Sequence, residues 1–126
     1  MADYLKLFGD TIAKEMPGFI SISIIEVKSG ITFFSKNSNK NFDLEHASRF
    51  ALEIIRAQLN ANYTLGKNQT IEDIVVMLSD QLQILKMSEN NDYFIYLVVN
   101  ASKANLAFTR ALLNKSIKEI SKNLKS

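Results

Sequence analysis

Cysteine is absent from the 126 residues, so disulfides, thiolate metal ligands and cysteine nucleophiles are excluded at once. Histidine occurs once, at His46. A zinc centre or a Ser-His-Asp constellation would have to be built round that single imidazole, with carboxylates supplying everything else. The sequence therefore predicts no metal and no cofactor. No apolar run approaches the roughly 20 residues of a membrane span, and the N-terminal "MADYLKLFGDTIAKEM" carries acids where a secretory signal carries bases. The expectation is a cytoplasmic protein without membrane insertion.

Glycine is scarce as well, with four in all and none between Tyr93 and Ser126. That bears on "YFIYLVVNASKANLAFTR", Tyr93 to Arg110, where an apolar strand runs through a polar turn into a helix. Phosphate loops sit at such junctions, but they need glycines so that backbone N–H groups can close on the anion. The turn Asn100-Ala101-Ser102-Lys103 reads instead as a helix start, with Asn100 or Ser102 capping the first free N–H groups.

What is present is ordinary for a globular domain: 47% apolar and 22% charged residues in one unit spanning residues 1–126. The net charge of +2 is unevenly spread. From Ala101 onward six bases, Lys103, Arg110, Lys115, Lys118, Lys122 and Lys125, face the single acid Glu119. Such a helix can touch nucleic acid, anionic lipid or an acidic partner. Phe108 is the one aromatic residue among these bases, so a solvated face is the plainer reading and no nucleic-acid partner is expected.

Leu5, Phe8, Ile12 and Met16 recur at helical spacing until Pro17-Gly18 stops them. "FISISIIEV" alternates Ile20, Ile22 and Ile24 with Ser21 and Ser23, as a half-buried strand does, and Lys28-Ser29-Gly30 turns it into "ITFFSK". A second helix runs from an Asp43 cap to about Asn62. "IEDIVVML", "LQILKM" and "YFIYLVVN", joined by tight turns, form an antiparallel meander, and a last helix reaches about Lys122. Its stripe is Leu106, Thr109, Leu113, Ile117, Ile120 and Leu124. The order is α-β-β-α-β-β-β-α.

The second helix gathers Glu45, Arg49, Glu53, Arg56 and Asn60 into a wedge of roughly 80°. His46 stands at its margin. Almost all the remaining circumference is apolar or small, about twice the stripe that packing on one sheet requires. "IEDIVVML" makes the same point: Ile74-Val75-Val76-Met77-Leu78 is apolar on both faces, yet it opens a meander and carries neither proline nor lysine to guard an edge. Burial under a long loop would satisfy both elements; so would a second copy of the chain, and together they point to a homodimer. Catalysis finds no such support. Glu72 and Asp73 point to opposite faces of a strand, and no nucleophile, base and oxyanion donor come together.

"PGFISISIIEVKSGITFFS" is similar to the first hairpin of the Roadblock family of dynein light chain homologues. "YLVVNASKANLAFTRALLNKSIKEI", with Ala104-Asn105-Leu106, resembles its last strand and helix. The resemblance covers about residues 3 to 124 and is strongest to the family's single-domain prokaryotic gliding-motility regulators. It implies an α+β longin- or profilin-like fold, a five-stranded antiparallel sheet with helices on both faces. It also implies a homodimer formed through the third strand and the second helix. On that basis Ala47, Phe50, Ile54, Ala57 and Ala61 are assigned to the mate, with Ile71, Ile74, Val75, Val76 and Met77. Leu44, Ala51, Leu52, Ile55 and Leu59 are assigned to the sheet. The family regulates small Ras-like GTPases or serves as light chains. The resemblance thus implies a non-catalytic GTPase regulator whose polar wedge, Glu45, Arg49, Glu53, Arg56 and Asn60, meets the GTPase; a nucleotide-independent adaptor is the alternative. Arg49 and Arg56 could act as arginine fingers, or could simply pair as Glu45–Arg49 and Glu53–Arg56 along the helix.

Overall fold

The computed structural model describes residues 3–66 and 69–124, with side chains over 4–66 and 69–120. The elements are α1 (Asp3–Glu15), β1 (Phe19–Glu26), β2 (Thr32–Asn37), α2 (Leu44–Thr64), β3 (Asp73–Met77), β4 (Gln81–Met87), β5 (Tyr93–Asn100) and α3 (Leu106–Leu124). The expected order is observed. All pairings are antiparallel and the sheet runs β2-β1-β5-β4-β3, so β3 is an edge strand as anticipated and β2 is the other.

Helices cover both faces. On one, Leu5, Phe8, Ile12 and Met16 of α1 and Leu113 and Ile120 of α3 pack on Ile22, Ile24, Ile84, Ile95 and Leu97. On the other, Ala51 and Ile55 of α2 pack on Ile25, Leu85, Phe94, Tyr96 and Val98, flanked by Leu44, Leu52 and Leu59. Leu44, Ala51, Leu52, Ile55 and Leu59 of α2 thus face the sheet as expected, and Ala47, assigned to the mate, also touches this core. β5 lies at the centre and is buried at every position from Tyr93 to Val99, which is why it reads as a continuous apolar run. Burial from apolar surroundings also pushes the Tyr96 hydroxyl up to about 12.

Three local readings need correction. β1 is not half-buried: Ser21 and Ser23 are fully buried, because α2 covers the face they occupy. A register shift between Phe19 and Ser21 in the β1–β5 ladder is a bulge, which turns Ile20 to the α2 side as well. The cap of α3 is neither Asn100 nor Ser102. Asn105 accepts from the Phe108 N–H at 3.0 Å, while Asn100 closes its own turn by accepting from the backbone N–H and hydroxyl of Ser102. Finally, "IEDIVVML" forms a strand only from Asp73, leaving Ile71 as a half-buried loop residue against the α2-side core.

Two glycines have steric reasons. Gly18 sits at φ +75 at the close of α1, and a Cβ there would come within 3.0 Å of the Asn100 carbonyl. Gly9 lies inside α1, where a Cβ would stand 2.4 Å from the Phe34 ring of β2.

Thr109 of α3 faces the core with its hydroxyl buried and unpartnered. A buried unmet hydroxyl costs about 1–3 kcal/mol. Thr109→Val keeps the shape and removes the group, so it is expected to raise stability by about 1 kcal/mol. The check is a urea midpoint that moves up at constant slope.

Candidate functional site

α2 carries the residues of interest because its sequence gives it three surfaces instead of two. One packs on the sheet. A second faces the β1–β2 hairpin: Ser48 Oγ lies 3.2 Å from Ser23 Oγ, and Arg56 donates to the carbonyl of Val27 at 2.6 Å and of Lys28 at 3.0 Å. At 100° per residue the stripe Ala47, Phe50, Ile54, Ala57 and Ala61 falls on the opposite flank, turned away from β2 and toward the β3 side. Ala47 is half-buried against the sheet, Ala61 is half-buried, and Ala57 is exposed. Phe50 and Ile54 are 62% and 40% exposed, which is unusual for such large apolar side chains on one flank.

The β3 edge lies on that same side. Among the described residues β3 pairs only with β4, so its outer N–H and C=O groups are unpaired. Ile74 packs toward the α2-side core and Val75 toward the opposite one; Val76 is half-buried and Met77 is 73% exposed. The strand is held to α3 by a two-pronged ion pair that sequence reasoning missed. Arg110 donates from Nε and from its terminal nitrogen to the two oxygens of Asp73, both at 2.9 Å, and the carboxylate side chain is only 15% exposed. Nothing in the sequence signals a contact between residues so far apart; Arg110 reads there as one base of a basic helix.

The polar wedge Glu45, Arg49, Glu53, Arg56 and Asn60 is exposed throughout. It does not crown the apolar stripe but lies on the hairpin side of α2. Arg49 and Glu45 approach to 3.7 Å, both well exposed, as the i,i+4 spacing suggests. The anticipated Glu53–Arg56 pair is not formed, because the Arg56 guanidinium is committed to the hairpin carbonyls. Ion pairing to one flexible glutamate is weak in water, whereas two backbone carbonyls fixed by a hairpin offer a rigid acceptor set.

Between this flank and β2 runs an open cleft of about 760 Å³, floored by Ser35, Asn37 and Ser48 and rimmed by Lys40 and Arg49. Its far end is the asparagine-rich loop, whose composition now has a structural reason. Asn37 Oδ1 accepts from the Asn39 N–H, Asn39 Oδ1 from the Asn41 N–H, and Asn37 donates to the Phe42 carbonyl. Ser38 binds back to the carbonyls of Phe19 and Ile20. Successive side-chain turns of this kind fix a loop without glycine or proline.

Asp43 caps α2 as expected, accepting from the His46 N–H at 3.1 Å and holding His46 Nδ1 at 2.7 Å. His46 is thus a partner of the cap at the exposed helix start. Hydrogen bonding from the His46 side chain, then from its backbone N–H, holds the Asp43 carboxyl below its ordinary value of 3.8. A carboxylate depressed in the folded state contributes stability above its unfolded value and loses it as pH falls through the folded one. The α2 start is therefore expected to lose amide-exchange protection below about pH 4. The start of α3, capped by the non-titrating Asn105, serves as the internal control. Equal behaviour of the two starts would refute this assignment.

Among the described residues no group of three or more His, Cys, Asp or Glu is placed to hold a metal, and no helix is long and apolar enough to cross a membrane.

No protein-family model matches the sequence, and no curated protein does. Solved structures do. The Roadblock/LC7 domain from Streptomyces avermitilis superposes with a TM-score of 0.80 at 12% identity, over 95% of this chain and 97% of that one. MglB of Myxococcus xanthus gives 0.83 at 11% identity, over 98% and 96%. The gliding protein MglB of Thermus thermophilus gives 0.75 at 13% identity, over 94% and 86%. At such identities the likeness is one of fold: the chain has the Roadblock/LC7 fold over nearly its whole length.

Proposed function

We propose that this protein is a homodimeric, non-catalytic regulator of a small Ras-like GTPase, acting in the cytoplasm as a GTPase-activating or effector-type partner. The observation that carries the reading is the coincidence, on one side of the molecule, of an unpaired apolar edge at β3 with the exposed stripe Phe50, Ile54 and Ala57 of α2. Two copies joined there would extend the sheet through β3 and pair the α2 helices. Ile71, Ile74, Val75, Val76 and Met77 would then lie at or beside the joint, together with Ala47 and Ala61. The similarity in fold to MglB supports the same reading. The polar flank Glu45, Arg49, Glu53, Arg56 and Asn60 supplies the GTPase contact from each subunit.

The test is binding of the purified protein to Ras-like GTPases of its own organism, each loaded with GDP or a non-hydrolysable GTP analogue, with the mass of the complex measured. Two copies bound to one GTPase only in the GTP state is the expected result. A stable complex indifferent to nucleotide would replace the regulator with an adaptor of the light-chain kind. Should hydrolysis be stimulated, joint Arg49→Gln and Arg56→Gln replacement is expected to change the rate by less than about tenfold, against the 10³–10⁵ an arginine finger supplies. Arg56 is already spent on the hairpin.

A further inference from the structure

The opposite edge of the sheet carries a second surface, and we infer that β2 is a docking edge for an extended acidic peptide segment of a partner. Several observations meet there. The outer side of β2 is unpaired among the described residues, because β2 bonds only to β1. The Ser38 N–H bonds to the Ile20 carbonyl, so strand alternation turns the N–H groups of Ser35 and Asn37 outward. These two residues also floor the open cleft beneath α2, so an added strand would find room for alternate side chains there.

The edge is not guarded in the usual way. A lysine in an edge strand normally discourages pairing, but Lys36, the lysine of β2, is drawn to the α1 side, where its ammonium lies 3.1 Å from Asp10. Two other lysines, Lys28 in the hairpin and Lys40 beyond the far end of the strand, are exposed and make no ion pair among the described residues. They stand at the two ends of a six-residue strand, about 20 Å long at the usual rise. By contrast, Asp43 is engaged with His46, and Glu45 with Arg49. Glu26, at the hairpin end, alternates onto the α1 face of β1 and accepts from Ser29. The lysines at the two ends of the strand are thus left to meet a segment with acids flanking a short extended middle.

The surface is also formed in advance. Arg56 fastens the hairpin end to α2, and the Asn37–Asn39–Asn41 ladder fastens the loop end to β1 through Ser38. A ligand would not have to order either end, which removes much of the usual cost of strand addition. The edge lies across the sheet from β3, so its occupation is compatible with the proposed dimer.

The probe is a fluorescein-labelled eight-residue peptide with alternating valine and threonine in the middle and two glutamates at each end. Two controls accompany it: the same peptide with lysines at the ends, and the glutamate peptide with proline at two central positions. Anisotropy at low salt is expected to show the glutamate peptide binding at least tenfold more tightly than either control. Ser35→Pro removes one outward N–H and spares the β1 ladder, so it should weaken binding at least tenfold. If circular dichroism shows that variant unfolded, Lys28→Glu with Lys40→Glu decides, and should reverse the preference for glutamate over lysine ends. Binding of the proline-broken peptide as tightly as the intact one would reduce the effect to bulk charge and overturn the inference. So would no binding of the intact peptide up to about 1 mM, or binding unmoved by the decisive variant.

Discussion

Joint replacement of Ala57 and Ala61 by arginine is expected to convert the proposed dimer, of twice 14.2 kDa, into a monomer, read by light scattering behind a sizing column. Both residues lie on the α2 flank turned toward the β3 side, and neither belongs to the fully buried core. Arginine at these positions should therefore leave the fold intact. In the dimer each would place a guanidinium between two helices packed through small side chains, with no acid of the stripe to receive it. Leaving one charge unpaired at a buried interface costs roughly 3–5 kcal/mol. A loss of that size weakens association between about a hundredfold and several thousandfold, enough to dissociate a micromolar dimer at working concentrations. A double variant that kept the full dimer mass would remove α2 from the joint, and with it the proposed arrangement. Reversing one acid on the hairpin flank, by Glu53→Lys, leaves the mass unchanged if the two flanks of α2 have separate tasks.

Phe94→Ala is expected to be the most damaging single change to the fold itself, costing about 3–5 kcal/mol. Phe94 is the largest of the fully buried side chains, on the central strand, packed beneath α2 with Ile55 and Leu85. Total stabilities of domains lie near 5–15 kcal/mol, so the variant should sit close to its unfolding threshold at 37 °C. Urea denaturation would register it as a midpoint shifted far down. A shift below about 1.5 kcal/mol, the range of a tolerated repacking, would mean that the α2-side core is loosely filled and that α2 is not anchored as described.

The element order was legible because its signals were periodic and local. Leu5, Phe8, Ile12 and Met16 marked α1, the unbroken apolar run marked β5, and the tight turns marked the meander. All were read correctly, and the edge position of β3 followed from the meander. The two-faced burial of β1 was not legible. Its serines imitate an exposed face, and only the bulge near Phe19 together with coverage by α2 explains their burial. The α3 cap was misplaced because three capping residues compete within six positions, and Asn105 wins by standing directly before Leu106. The partner of Arg56 was not legible either. Helical spacing offers it Glu53, but the hairpin carbonyls come within reach only after the chain has folded back on itself. The Asp73–Arg110 pair is of the same kind, a contact fixed by topology and invisible to any window of sequence.

The strand order has a consequence for how the molecule comes into being. Its middle seam joins β1 to β5, setting Ile22 opposite Leu97, while every other pairing links neighbours in the chain. The first hairpin and the meander can each form locally and quickly, but the seam must wait for nearly the whole polypeptide. Distant pairings of this sort slow folding toward milliseconds or longer. During synthesis β1 therefore emerges long before the strand that will cover its inner side, with Ile22 and Ile24 still wet. The seam, hidden at the centre of the finished sheet, is where the order of assembly is decided.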